Sequence, residues 1–130
     1  MERGTAPVTL NDIVQAVAGS LKAVWPSRKV YADEIPQNAD GAFYVALEDV
    51  EQTRGLDRQQ RRTVGVQVLY FLRSKDTLEY LEWADSMFDH FRMLDVSGRQ
   101  VHLSNQSARN DSDGRYYQFL FDIDLRFVEA

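Results

Sequence analysis

Thirteen residues near the end of the chain, Tyr116–Val128, constrain its fold more than any other stretch. Tyr117, Phe119, Phe121, Ile123, Leu125 and Phe127 occupy every second position, and Gln118, Asp122, Asp124 and Arg126 fill most of the gaps between them. Period two over that length specifies a β-strand with one apolar face. Each such side chain contributes about 1.5–3 kcal/mol when buried. The remainder of the chain must therefore supply helices and sister strands to cover that face.

The 130 residues suffice for one domain with one core, without disulfides or a structural metal. Cysteine is absent, which removes disulfides, thiol nucleophiles and zinc–thiolate sites from the inventory. Residues 1–8 lack an apolar run and no later stretch reaches the length of a membrane span, so the expected product is soluble and cytosolic, with neither a signal peptide nor a membrane partner. The net charge of −5 gives no support to a nucleic-acid binder taken as a whole.

Residues 1–8 contain Gly4 and Pro7 without periodicity and read as a flexible N-terminal arm, leaving 9–130 as a single domain. Thr9 with Asp12 forms a capping box, and Leu10, Ile13, Val14, Val17, Leu21, Val24 and Trp25 make one helical stripe that Pro26 ends. Residues 28–35 make a short edge strand. Residues 42–50 alternate through Phe43, Val45 and Leu47, and 61–72 through Val64, Val66, Val68, Tyr70 and Leu72, giving two more strands. Asp76 with Glu79 opens a second helix to about Met93, with Leu78, Leu81, Ala84, Met87, Phe88 and Phe91 as its core face. Ser97 and Gly98 make a turn, 101–107 a fourth strand, and 110–114 a turn into the fifth, which pairs antiparallel with the fourth. The expected fold is α+β, with two helices packed on one mostly antiparallel sheet of about five strands in the order α-β-β-β-α-β-β.

Reactive groups form no recognised constellation. His90 and His102 have no Cys, Asp or Glu at a ligand spacing and read as surface or half-buried histidines. Asp33/Glu34, Glu48/Asp49 and Asp122/Asp124 are paired carboxylates, but the last pair stands at i and i+2 beside Arg126, as on a solvated or subunit-facing strand. Serines and glycines form neither a nucleophile elbow nor a phosphate loop. Nothing here supports catalysis or a cofactor.

Arg54, Arg58, Arg61 and Arg62 stand out instead, four arginines within nine residues of an acidic chain, on or beside the hairpin between the second and third strands. They fit a solvated loop, contact with a nucleic-acid backbone, or pairing with carboxylates of an identical neighbour, a head-to-tail contact that closes into rings.

Several strings together resemble the tail terminator proteins of long-tailed bacteriophages and prophages. They are the helix ending at Trp25-Pro26 before Lys29-Val30-Tyr31, Asp57-Arg58 with Arg61-Arg62 leading into the strand from Val64 to Phe71, Tyr80-Leu81 and Ala84-Asp85 through Phe88, and Asp113-Gly114 before the last strand. The resemblance covers nearly the whole chain and departs from the family pattern at Leu72-Arg73, where a proline often stands. It implies a non-enzymatic structural protein of the virion tail, assembled in the host bacterial cytoplasm. Such proteins form a homo-oligomeric ring, commonly a hexamer, at the head-proximal end of the tail tube. There they stop polymerisation of the tail tube protein and present a joint to the head-completion or connector protein, while DNA passes through the pore without sequence-specific binding. In that setting Arg54, Arg58, Arg61, Arg62, Asp122, Asp124 and Arg126 become candidates for the subunit interface or the lumen. Another head-tail joining or tail-completion (neck) protein, or a cytosolic domain binding a small ligand between sheet and helices, is the alternative.

Overall fold

In the computed structural model, which describes residues 9–32, 40–54, 59–71, 77–110 and 116–128, the elements follow as α1 (Leu10–Val24), β1 (Val30–Tyr31), β2 (Ala42–Arg54), β3 (Gln59–Phe71), α2 (Thr77–His90), β4 (Met93–Val96), β5 (Arg99–Asn110) and β6 (Tyr116–Val128). Tyr117, Phe119, Phe121, Ile123 and Leu125 of β6 are all buried, and Tyr116, Gln118, Leu120, Asp122 and Asp124 between them are half-buried. β6 lies at the centre of one six-stranded sheet of order β1-β2-β3-β6-β5-β4. It is antiparallel to β3 from Gln59↔Val128 to Phe71↔Tyr116 and antiparallel to β5 on its other side. β2 continues the sheet antiparallel to β3, and the two residues of β1 add a parallel pairing at Phe43 and Tyr44.

The structure departs from the expected five strands in the order α-β-β-β-α-β-β. The sheet has six strands, makes up 54% of the structure and curls into a half-barrel. The strand missing from the expectation is β4, whose four residues are too short for period two to separate from a turn. Only Leu94 and Val96 of it face the core. Ser97 and Gly98, both at positive φ (53° and 84°), then reverse the chain into β5. Asp95 Oδ1 accepts from the Gly98 N–H at 2.8 Å, and glycine tolerates that backbone without a Cβ penalty.

α1 starts as its sequence requires. Thr9 Oγ1 accepts from the Asp12 N–H and Asp12 Oδ2 accepts from the Thr9 N–H, each at 3.0 Å. Ile13, Val17 and Leu21 are buried against the sheet. Replacing Thr9 by alanine is expected to cost about 1 kcal/mol, read as a shift of the urea midpoint at unchanged slope.

α2 presents a different face from the one its apolar pattern suggests. Trp83, Ala84 and Met87 are buried and Phe91 follows just past the helix, whereas Leu78 (67%), Leu81 (52%) and Phe88 (37%) are exposed. Trp83 decides the rotation. Its ring lies 5.2 Å from Tyr70 and 6.4 Å from both Phe43 and Tyr117, completing an aromatic cluster that two leucines could not fill. Ser20 Oγ and His90 Nε2, 2.6 Å apart, tie the two helices together. Both helices lie on one face of the sheet, since Phe43 meets Trp25 and Trp83 while Phe119 meets Phe88.

Candidate assembly surfaces

The sheet face opposite the helices is covered by no element among the described residues. Alternation places Tyr44 and Ala46 of β2, Gln67, Leu69 and Phe71 of β3, and Tyr116, Gln118 and Leu120 of β6 at one end of it. Phe71 and Tyr116 meet there with ring centroids 5.3 Å apart and planes tilted by 39°. Toward the other end the same face carries Glu51, Arg61, Thr63, Asp122 and Asp124. This gradient, apolar at one end and charged at the other, follows from three neighbouring strands each changing composition along its length.

The candidate arginines occupy the charged end, and β2 and β3 run further than expected, to Arg54 and from Gln59. Arg61 and Arg62, adjacent in β3, point to opposite faces. Arg61 Nε donates to both carboxylate oxygens of Asp124 on β6, at 2.9 and 3.1 Å. That hydrogen bond, and then the carboxylate's charge, push the Arg61 guanidinium above its ordinary range. The pair is exposed, 55% at Arg61 and 32% at Asp124, so it contributes little to stability. It shows that Asp124 has a partner within its own chain. Arg62, half-buried on the helix side, donates through Nε and Nη2 to Gln52 Oε1 at 3.0 and 2.5 Å. Arg54 ends β2 opposite Gln60, and Arg126 stands opposite Arg61 in the β3–β6 ladder. Arg58 lies outside the described residues.

Asp122 accepts from Asn105 Nδ2 at 2.9 Å. Asn105 has φ 53° at a bulge where β5 shifts register between Ser104 and Ser107. Sequence reasoning passed over this contact. The available signal was asparagine's tolerance of the left-handed region within an otherwise regular strand.

The chemistry of the surface is modest. Among the described residues, no three His, Asp or Glu side chains stand close enough to hold a metal ion, and no helix is long and apolar enough to cross a membrane. An open groove beside β5 is lined by Arg99, Val101, His102, Ser104, Asp124 and Leu125. It is an open surface depression whose lining mixes apolar side chains with both signs of charge. His90 is engaged with Ser20, and His102 is exposed.

Comparison with known proteins gives three results. The family described as phage tail terminator protein matches residues 12–130. Among solved structures 23 chains match, one of which covers 95% of this chain and 98% of its own length at 16% identity and a TM-score of 0.53, a likeness of fold alone. No curated protein sequence matches.

Proposed function

From the premise that the chain belongs to the phage tail terminator family, whose members are structural and not enzymatic, we propose that it closes a ring of identical subunits, six in number, on the head-proximal end of the tail tube. Membership places it in the virion tail, in association with tail proteins and with copies of itself. The finer reading is that the ring halts polymerisation of the tail tube protein and joins it to the head-completion or connector protein. DNA passes through its pore without sequence-specific contact, and assembly takes place in the host cytoplasm.

The observation that carries this reading is the uncovered sheet face with its unlike ends. A protein that sits between a tube and a head needs two surfaces of different complementarity, and it needs unlike contacts to close head to tail. An apolar, aromatic end suits a broad obligate contact, and a charged end with Arg61, Asp122 and Asp124 suits register and partner choice. A net charge of −5 leaves the pore wall weakly repulsive to DNA, so the conduit does not hold its cargo.

Size-exclusion chromatography with light scattering, on the protein alone and after mixing with tail tubes, tests the ring. A strict monomer in both conditions overturns it. The arginine hairpin has its own test. The double variant Arg58→Glu/Arg62→Glu is expected to fold normally by circular dichroism but to lose ring closure or tail joining, and normal joining by that variant removes the hairpin from the interface.

A further inference from the structure

Both margins of the sheet are only half covered, and at opposite ends. On one margin β1 pairs with β2 at Phe43 and Tyr44 alone, and among the described residues no strand pairs with the outer side of β2 from Glu48 to Arg54. On the other margin β4 pairs with β5 from Arg99 to His102, and the Leu103 N–H donates to Arg92 O. Beyond that point no described strand pairs with the outer side of β5, from Ser104 to Asn110. Register fixes where these open halves lie. β2's is at the end of Arg61 and Asp124, and β5's is at the end of Tyr117 and Tyr70.

The two open halves also differ in charge. β2 exposes Glu48, Asp49 and Glu51 along its open half. From Ser104 to Asn110, the open half of β5 carries Arg109 and no carboxylate. Glu51 shares a sheet face with Thr63, and Arg109 shares one with Gln118 and Leu69, and this is in both cases the face away from the helices.

We propose that the open half of β2 in one subunit pairs antiparallel with the open half of β5 in the next, joining neighbouring sheets into one. The inference rests on the ring reading and names its interface. Strand directions permit it: β2, β3, β6 and β5 alternate along the sheet, so β5 of one copy meets β2 of the next antiparallel. The covered halves fit as steps, because β4 of one copy rises past the end of the neighbour's β2, and the neighbour's β1 falls below the end of β5. Setting Glu51 opposite Arg109 keeps every side chain on its own face, as period two requires. The bulges at Leu47/Val50 and Ser104/Ser107 confine regular pairing to a few residues beyond each of them. They keep the edges from pairing indiscriminately with other strands. Because the two edges are unlike, the contact is heterologous, and the stagger it needs along the strands closes into a ring where the strands tilt against the ring axis.

Charge reversal tests it. Glu51→Arg and Arg109→Glu, each alone, place like charges across the joint, and each is expected to reduce the ring fraction at a fixed concentration roughly tenfold or more. The double variant Glu51→Arg/Arg109→Glu is expected to recover rings. So is an equimolar mixture of the two single variants, because each then supplies the charge the other lacks. Recovery on mixing also shows that the single variants are folded. If wild type forms rings and both single variants form them equally well, strand pairing at these edges is wrong while the ring stands. The same conclusion follows if the single variants lose rings and neither the double variant nor the mixture recovers them. If wild type forms no ring, alone or on tail tubes, the ring reading and this interface fail together.

Discussion

Phe43→Ala is expected to lower stability by about 3–5 kcal/mol, the usual loss for an aromatic removed from a closed core. For a domain of this length that corresponds to a fall in Tm of about 10–20 °C, followed by circular dichroism. Phe43 stands where four elements meet. Its ring lies 5.3 Å from Trp25 at the end of α1, 5.0 Å from Tyr70 on β3 and 6.4 Å from Trp83 on α2, and it is fully buried. Removing it opens a cavity whose walls belong to separate elements and cannot collapse together. A fall of less than about 5 °C would show that the cluster relaxes into the space.

A second large effect separates the observed face of α2 from the one its sequence suggests. Trp83→Ala is expected to cost about 3–5 kcal/mol, because the Trp83 ring is buried 5.2 Å from Tyr70 and 6.4 Å from Phe43 and Tyr117. Leu81→Ala, on a side chain 52% exposed, is expected to change stability by no more than about 0.5 kcal/mol. Chemical denaturation of both variants decides the matter. A large loss at Leu81 would restore the leucine stripe as the core face.

What the residues disclosed and what they withheld have distinct causes. The final strand, the capping box at Thr9 and Asp12, and the alternation through Phe43 and Val45 are local patterns, and local patterns survive into the fold. β4 was hidden because four residues carry two core contacts, and such a strand is defined by its partner β5 rather than by itself. The rotation of α2 was hidden because a helix with apolar residues on much of its circumference has more than one possible buried face. The choice rests with the shape left by Phe43, Tyr70 and Tyr117. Among the candidate site residues, the arginine cluster was visible as composition. Its division between two faces, Arg61 toward Asp124 and Arg62 toward Gln52, depends on strand phase.

The thirteen-residue ladder between β3 and β6 has a mechanical consequence. At about 3.3 Å per residue it runs for about 43 Å, roughly twice the length of the fifteen-residue helix α1 that packs across the sheet. A load applied along these strands acts on the ladder in shear, with its hydrogen bonds sharing the force, whereas a load across them would part the bonds one after another. The subunit is therefore stiffest along its strand axis and weakest at the short margins β1 and β4, and under tension it would yield at those margins before its centre.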